Sequence, residues 1–571
     1  MKRSILISMV AALAIGTASQ AAEIKFSEVP IPKTDEQKRD ILASKSVVVD
    51  GKEYKIGYNT IARSGDVIGD GIYGLVYDKK GKPVKSKDGS VKISNSIDFV
   101  SLIQKNDKLF MISHFETRPA AMYITELNQD KKTGKLSSVW TKPIDFSEFN
   151  GLWVPCAGSV TPWNTHLGSE EYPPNARKLN SDGSIDDYYK PMADYVGGDL
   201  KAINPYDYGY TPEIEVINEK GDVKVQKHYS MGRFAHELAY VMPDKKTVYL
   251  SDDGTNGVFV KFIADREGDL SSGELFAAKW NQTSAKNGGS ANIEWISLGK
   301  ANNAEIRAAL DKKPKFDDIF EATERNKDGS CPSSFSPSNY RSVAECLKIN
   351  DGMEKVASRL ETGRYASIMG ATVEFSKMEG ITYNPQRQEA YMAISRTEKG
   401  MEDNMKRGKK ENKYDKGGNN DIKLPWNHCG VVYRMPVDSN YNVSKMEALV
   451  SGVPMKKDAD GNSCRLDQIS MPDNVTFIPN TDTLVIGEDT SYHQNDMIWA
   501  YNISKKKLTR IQTTPYGSET TSPYYYPNIN GFGYLMSAVQ HPYGESDQDK
   551  LSKAGEIRSY TGYIGPFPVI K

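Results

Sequence analysis

The sequence lacks long hydrophobic runs beyond its first residues and has no excess of either charge. No later stretch approaches the roughly 20 apolar residues that a membrane helix needs. The chain carries 73 basic and 74 acidic side chains, a formal net charge of −1, and no basic stripe, which argues against a nucleic-acid-binding protein. We therefore expect no membrane span and no nucleic-acid partner.

Signature motifs of several common enzyme classes are also missing. There is no GxSxG elbow, no HExxH, no Walker loop and no CxxC. The sequence therefore lacks the usual motifs of serine hydrolases, zincin metallopeptidases, nucleotide-binding P-loop enzymes and thiol oxidoreductases. Histidines are few, and those beside the candidate ligands described below are interpreted as structural hydrogen-bonding groups rather than catalysts: His114, His166, His236 and His541.

The first residues of the chain have the layout of a secretory signal peptide. Lys2 and Arg3 precede an apolar run from Ile5 to Ile15, and small residues follow up to Ala21. A basic start, a short hydrophobic region and a small-residue cleavage site are typical of such peptides. We predict a signal peptide over residues 1–21 and a mature protein over 22–571, located in the periplasm or secreted.

The five cysteines are an odd number for an oxidising compartment, where thiols usually pair. Cys331 and Cys346 bracket a short polar segment, and Cys429 and Cys464 flank another. Two local disulfides are therefore a natural hypothesis, each contributing roughly 3 kcal/mol by loop-entropy reasoning. Cys156 is left over. It is either an inert buried thiol or, given the acidic residues that follow it, a ligand for iron or zinc.

A repeated pattern runs along the chain. An acidic residue opens an apolar stretch, a polar or proline turn follows, and a second apolar strand ends in Ser, Glu or Asp. About six such units begin at His236, Met378, Pro472, Asp98, Cys156 and Glu519. Apolar alternation of period two around a turn predicts hairpins. Hairpins repeated along a long chain predict the blades of a β-propeller, so we predict an all-β protein with one propeller domain and long loops.

Two segments interrupt the repeats. From about residue 303 to 364, Ala, Lys, Glu and Leu recur at helical spacing in AEIRAALDKK, VAECLKI and MEKVASRLE, which predicts a small helical insertion. From about residue 397 to 421 the chain is highly charged and rich in Gly and Asn, as is typical of a mobile surface loop.

The acidic residues of the repeats are the main functional signal. The inner strand of a propeller blade starts near the central channel, so acids repeated at that place converge on one axis. The repeated acids are Glu237, Glu379, Asp473, Asp98 and Glu519. Each one alone could cap a turn, but together they would repel unless cations held them, and such hard oxygen ligands suit calcium.

Further acids lie at the ends of second strands and beside the unpaired cysteine. For Asp253 and Asp489 a structural role and metal binding are about equally expected. The pair Glu170-Glu171 follows Cys156 closely, and carboxylates beside a thiolate favour a softer, Lewis-acidic metal in the same cluster.

The segment PCAGSVTPWNTHLGSEE from Pro155 resembles the PhoX-type alkaline phosphatases, which carry Cys-Ala-Gly, Thr-Pro-Trp, a Thr and a Glu-Glu pair at the same spacing. Further family landmarks follow in the same order over some four hundred residues. They include YGYTPEIEV from Tyr208, GRFAHE from Gly232, YLSDDGTNGVFVKF from Tyr249, NHCGVVYRM from Asn427, and the closing Gln540-His541-Pro542.

The resemblance implies a six-bladed propeller whose central site holds two ferric ions and several calcium ions, bridged by an oxygen species. It implies hydrolysis of phosphate monoesters by a metal-bound oxygen nucleophile, with small phosphorylated molecules as substrates, and we expect a monomer. By motif, Cys156 would bind iron. The complete set of candidate metal ligands, from motif and from position, is Cys156, Glu170, Glu171, Glu237, Asp253, Glu379, Asp473, Asp489 and Glu519.

The chain departs from the family pattern at one catalytic position. Where the family usually has Arg-Pro-Glu, this sequence has Lys377-Met378-Glu379. The cluster ligand Glu379 is kept, while a bidentate phosphate clamp is replaced by the point charge of Lys377. These two are the predicted catalytic residues, with Lys377 as a phosphate contact.

Two other readings of the same propeller stay open. A calcium-dependent lactonase or esterase would need a single calcium and no thiolate, so it would be colourless, whereas iron bound through Cys156 would absorb visible light. A noncatalytic propeller would use calcium only for stability and bind a partner on its face, retaining metal while hydrolysing nothing.

Overall fold

The protein is a six-bladed β-propeller, as predicted. The computed structural model describes residues 21–179, 186–416, 418–545 and 547–571, so residues 1–20 of the predicted signal peptide lie outside the described part. The blades are antiparallel sheets. The first strands contact one another at five junctions between neighbouring blades, which places these strands around the channel. Among the described residues no helix is long and apolar enough to cross a membrane.

Each blade has four strands that run in order from the channel to the rim. Blade 1 consists of Ile97–Lys105, Lys108–Phe115, Ala121–Gln129 and Leu136–Pro143. Blade 2 consists of Ser159–Val160, His166–Leu167, Thr211–Val216 and Val223–His228. Blade 3 consists of His236–Val241, Thr247–Asp252, Val260–Arg266 and Asp269–Ser284.

The other three blades follow the same order. Blade 4 consists of Met378–Asn384, Glu389–Ile394, Val431–Pro436 and Lys445–Ser451. Blade 5 consists of Pro472–Ile478, Thr483–Glu488, Met497–Asn502 and Lys507–Thr513. Blade 6 consists of Glu519–Ile529, Phe532–Gln540, Tyr560–Pro568 and, from the beginning of the chain, Gly57–Arg63.

The ring is held together at two places by strands from elsewhere in the chain. Gly57–Arg63 pairs with Tyr560–Pro568 and so joins the start of the chain to the last blade. Ser290–Asn302 pairs with the outer strands of both blade 3 and blade 4, which links these blades into one nine-stranded sheet. Because a blade buries its faces mainly against its neighbours, these links stabilise the closed ring.

The inner strands are buried on both faces, which explains why their sequences are almost continuously apolar. Every residue of Met378–Asn384 and of Pro472–Ile478 is buried, because neighbouring blades cover both faces of these strands. At the rim, Leu136–Pro143 mixes buried and exposed residues. An acidic residue within a fully buried inner strand therefore needs a compensating partner.

The insertion between blades 3 and 4 is mixed rather than purely helical. Its helices are Asn303–Leu310, Phe316–Ile319, Glu354–Leu360 and Thr362–Ile368. A three-stranded antiparallel sheet lies between them, made of Phe320–Thr323, Ser336–Ser338 and Glu345–Ile349. The helical interpretation of VAECLKI is therefore wrong. That segment is the central strand of the small sheet, paired on both sides, and these non-local pairings override its helical spacing.

Shorter elements complete the fold. The remaining strands are Ile24–Phe26, Leu42–Ala43, Ser46–Val49, Lys52–Lys55, Val67–Ile68, Gly71–Ile72, Thr255–Gly257, Phe375–Ser376, Met405–Lys406 and Lys409–Lys410. One further α-helix is Asp35–Arg39, and the 3₁₀ helices are Ser147–Phe149, Asp187–Asp194, Leu200–Ala202, Pro205–Asp207, Tyr229–Met231, Lys286–Gly288, Tyr340–Ser342, Lys399–Met401, Gln548–Lys550 and Ala554–Ile557. The charged segment 397–421 is partly packed, because Met401 and Asp415 within it are buried.

The structure joins Cys331 to Cys346 and Cys429 to Cys464 by disulfides, and Cys156 is a free, buried thiol. The first disulfide lies within the insertion. The second fixes the approach to blade 5, where the Met471 backbone N–H donates to the carbonyl oxygen of Cys429 at 2.9 Å.

Removing the disulfide that closes the longer loop should destabilise the protein more than removing the other disulfide. The pairs are separated by 35 residues for Cys429 and Cys464 and by 15 for Cys331 and Cys346. Loop entropy then predicts losses of about 4 and about 3 kcal/mol for the Cys429→Ser/Cys464→Ser and Cys331→Ser/Cys346→Ser double variants. Thermal unfolding of both against the parent protein checks the order, and a larger loss for the shorter loop would contradict it.

Candidate metal centre

A β-bulge opens the inner strand of four blades at an acidic residue. The two residues after Ile97, His236, Met378 and Pro472 lie opposite a single residue of the second strand. The residue that follows each of these positions is, in turn, Asp98, Glu237, Glu379 and Asp473. A bulge re-aims a side chain that regular pleating would direct elsewhere. The repeated acids of the sequence are thus presented by one repeated backbone device.

The acids of different blades meet in three overlapping groups. In each group one ligand atom per residue lies within 4.8 Å of the others. The groups are Asp98, Glu116 and Cys156; Cys156, Glu171 and Glu237; and Glu237, Asp253 and Glu379. Since Cys156 and Glu237 each belong to two groups, the three form one continuous cluster, called the channel cluster below.

A second set of side chains near the channel comes from the residues that immediately follow the second strands. These residues are Glu116 in blade 1, Asp253 in blade 3, Ser395 in blade 4, Asp489 in blade 5 and His541 in blade 6. Ser395 Oγ donates to Glu379 Oε1 at 2.8 Å. His541 Nε2 lies 3.2 Å from Glu519 Oε2. These residues support or extend the inner-strand acids.

Cys156 is held from two sides. Its thiol lies 3.5 Å from Asp98 Oδ2, and its carbonyl oxygen accepts from His114 Nδ1 at 2.6 Å. His114 Nε2 contacts His166 Nε2 at 2.7 Å. Burial lowers the pKa of His114 to about 4 and lowers the pKa of His166 well below its usual value, so both rings are neutral. They orient the backbone of Cys156.

Burial and mutual repulsion dominate the electrostatics of the channel cluster. Burial, and then the charges of neighbouring carboxylates, raise the pKa of Glu237 and Asp473 well above their usual range. The same causes raise the pKa of Glu171, Glu116 and Glu519. Burial also raises the pKa of Asp98 to about 7 and of Glu379 to about 8. A negative charge here is costly unless a cation compensates it.

Two buried oxygens of the channel cluster have no partner. Asp98 Oδ1 and Glu237 Oε1 accept no hydrogen bond from any described residue. Buried polar atoms are rarely left unsatisfied, and both atoms belong to groups spaced like ligands. The carboxylates fit hard cations such as calcium, and the thiol beside Asp98 and Glu171 fits a softer metal such as iron.

Lys377 lies at the edge of the channel cluster. Its Nζ is 2.6 Å from Asp253 Oδ2, 3.5 Å from Glu379 Oε1 and 3.2 Å from the Tyr172 hydroxyl. The backbone of Lys377 is left-handed, with φ of 53°. Burial opposes ionisation of Asp253, but the charge of Lys377 and the hydrogen bonds from Glu171, Lys377 and Tyr172 together outweigh burial and lower the pKa of that carboxyl.

One predicted ligand is placed elsewhere. Glu170 Oε1 accepts from Lys227 Nζ at 2.7 Å and from the Trp153 N–H at 3.0 Å. Its Oε2 accepts from the N–H groups of Gly209 and Tyr210 at 3.0 and 3.1 Å. The prediction of Glu170 as a metal ligand is therefore wrong, because both oxygens are already satisfied within a buried ion pair.

The other predicted residues lie at or beside the channel cluster. Cys156, Glu171, Glu237, Asp253 and Glu379 belong to the three groups. Burial, and then the charge of Glu379, raises the pKa of Asp473. Burial, and then the charges of Asp489, Asp473 and Asp98, raise the pKa of Glu519, so both carboxyls are within electrostatic reach of the cluster. The grouping of His428 with Cys429 and Cys464 offers no thiolate, because both cysteines are in a disulfide.

Sequence reasoning missed three contributors. Glu116 occupies the same place after a second strand as Asp253 and Asp489, so that position could have revealed it. Tyr172 follows Glu171 and donates to Asp253 Oδ2. Arg341 reaches the site from the insertion and donates to the Asp252 carboxylate and the Asp253 carbonyl, a long-range contact that leaves no local signal.

A cavity of about 410 Å³ lies beside the channel cluster. Lys377 and Asp489 line it together with Arg396, Lys399 and Glu545. The cavity thus joins the edge of the acidic cluster to a wall that carries several cations. This combination can hold a small, multiply charged anion against bound metals.

Comparison with known proteins gives a consistent assignment. Residues 100–542 match the family model described as "Alkaline phosphatase PhoX". The structure of Pseudomonas fluorescens PhoX in complex with vanadate, a transition state analogue, is similar with a TM-score of 0.59 at 16% identity, covering 95% of this chain and 98% of that chain. Hydrazine synthase of Kuenenia stuttgartiensis has a TM-score of 0.32 at 11% identity, covering 80% and 95%. No curated protein sequence matches the chain.

Proposed function

The chain belongs to the PhoX family of alkaline phosphatases, and from this premise we propose that it hydrolyses phosphate monoesters at the channel cluster, with calcium and ferric iron as cofactors. The observation that carries the proposal is the continuous run of ligand-spaced groups in which Asp98 Oδ1 and Glu237 Oε1 have no partner among the described residues. Neither a single-calcium lactonase nor a noncatalytic propeller accounts for the thiol within this run.

The candidate metal ligands are of two chemical kinds, a thiol and several carboxylates. Cys156 offers a soft thiolate, and with Glu171 and Glu116 it would hold iron. Glu237, Glu379 and the other carboxylates would hold calcium, which accepts several oxygens in flexible geometry. When bound, these metals would supply Lewis-acid stabilisation of the phosphoryl oxygens and an activated oxygen nucleophile.

Lys377 would contact the phosphate as a fixed cation. Burial disfavours its charge, but the neighbouring acidic groups, led by Asp253 and Glu379, together outweigh burial and raise the pKa of Lys377 well above its usual value. Its Nζ therefore keeps its protons and acts as a hydrogen-bond donor rather than a base. Asp253 and the Tyr172 hydroxyl orient this amine toward the cavity.

The proposed setting is extracytoplasmic. We take residues 1–21 as a signal peptide and 22–571 as a single propeller domain, carrying the insertion at about 303–364 and the charged segment at about 397–421. The disulfides at Cys331 and Cys429 suit the periplasm or the external medium. Small phosphorylated molecules would be the substrates, and the protein would act as a monomer.

The test combines metal analysis with turnover. The exported protein, purified natively, should contain iron and calcium, absorb visible light and hydrolyse a chromogenic phosphate monoester. Chelation of calcium should reduce this hydrolysis by about tenfold or more, and added calcium should restore it. Calcium without iron would favour the lactonase or esterase, and bound metal without any turnover would favour a binding propeller.

A further inference from the structure

Arg396 occupies a position that the proposed chemistry has not yet used. It follows Ser395 after the second strand of blade 4, and Ser395 donates to the cluster ligand Glu379. Arg396 also lines the same cavity as Lys377 and Asp489. Its guanidinium therefore lies one residue from a side chain that supports the channel cluster, on the side where a substrate would enter.

The guanidinium of Arg396 is nearly without polar partners. Its Nε is buried and makes no hydrogen bond to any residue that the structure describes. The polar contact found for its other nitrogens within the described ranges is Nη2 to the thioether sulfur of Met471 at 3.5 Å, which is a weak acceptor. The ring of Tyr492 lies 5.6 Å from the guanidinium carbon and limits where the side chain can move.

The neighbouring cations of the cavity are already paired. Lys377 contacts Asp253 at 2.6 Å. Lys399 contacts Glu398 at 3.1 Å and Thr255 Oγ1 at 2.9 Å. Arg396 forms no ion pair with any carboxylate in the part of the chain that the structure describes, although Glu545 lines the same cavity.

An unpaired, partly buried guanidinium is costly unless an anion binds it. Its planar fork matches two oxygens of a phosphoryl group, which a lysine ammonium cannot do. We propose that Arg396 is the bidentate phosphate contact of this protein and supplies, from the segment just after the second strand of blade 4, the clamp that Lys377 cannot provide. The proposal rests on the proposed phosphatase function for its substrate, a phosphate monoester dianion, and predicts that inorganic phosphate binds at the same place.

Inorganic phosphate is the probe for the experiment. Its affinity for the metal-loaded protein is measured by calorimetry for the parent protein and for Arg396→Gln and Arg396→Lys. Loss of charge-assisted hydrogen bonds should weaken phosphate binding about 10- to 100-fold in Arg396→Gln. Arg396→Lys should lie between the two, because it keeps the charge and loses the fork. KM for a monoester should rise in parallel, with metal content unchanged.

Arg434→Gln is the matched control. Arg434 belongs to the third strand of the same blade and pairs with Glu447, away from the cavity, so this variant should bind phosphate like the parent. Unchanged phosphate affinity in Arg396→Gln, or no phosphate binding by the loaded parent protein, would overturn the proposal. If the parent binds phosphate through Arg396 but hydrolyses no monoester, the proposal for Arg396 stands and the proposed phosphatase function fails.

Discussion

Replacing Glu379 by Gln should empty the channel cluster of metal and reduce phosphate monoester hydrolysis by about a thousandfold or more. Glu379 shares a ligand-spaced group with Glu237 and Asp253. The amide is nearly isosteric with the carboxylate but carries no charge, and calcium affinity depends on the charge of its ligands. A loss of about 4 kcal/mol in transition-state stabilisation corresponds to this factor.

A control for this variant exists in the same blade. Glu389 lies at the start of the second strand of blade 4, where its carboxylate accepts from the Tyr391 hydroxyl at 2.8 Å. It lies at the opposite end of this strand from Ser395, away from the channel cluster. Glu389→Gln should therefore keep both metal and activity. Full metal content and turnover in Glu379→Gln would refute the assignment of this ligand.

The sequence predicted the inner-strand acids because one backbone geometry repeats. Glu237, Glu379 and Asp473 occupy the same place after the first residue of three inner strands, and the same bulge follows in each. Repetition in the sequence therefore corresponds to repetition in space. Asp98 was recognised by the same reasoning, and the structure brings it to Cys156 at 3.5 Å.

The error at Glu170 has a geometric cause. Adjacent residues in extended chain point in opposite directions, so a Glu-Glu pair does not deliver two ligands to one site. Glu171 faces Cys156 and Glu237, whereas Glu170 turns away to Lys227. The sequence marked both residues because it records neighbours along the chain and not the direction of their side chains.

Other parts of the site depend on contacts that no local pattern encodes. Arg341 comes from the insertion, more than eighty residues from Asp252, which it contacts. The small sheet that contains Glu345–Ile349 is likewise formed by pairing with distant strands. Such features follow from tertiary packing, which can override local propensity.

The metal-free protein should lose stability as the pH rises, contrary to the usual behaviour of paired carboxylates. Asp98 and Glu379 have folded-state pKa values of about 7 and about 8, above those of the unfolded chain. Such groups contribute stability that is fully present below the unfolded pKa and is lost as pH rises through the folded pKa. The loss therefore falls between about pH 4.5 and 8. The lowered pKa of Asp253 acts only at more acidic pH, outside this window.

We expect the melting temperature of the chelated protein to fall by roughly 5 °C or more between pH 5.5 and 8.5, since each pKa unit corresponds to about 1.4 kcal/mol. Bound cations compensate the same charges, so the metal-loaded protein should show a much smaller fall. Metal-free Glu379→Gln should also respond less, because it lacks one of the titrating carboxylates. A metal-free protein that melts at the same or a higher temperature at pH 8.5 would mean that burial and mutual repulsion do not raise the pKa of these carboxylates, and the case for cations in the channel would lose its electrostatic basis.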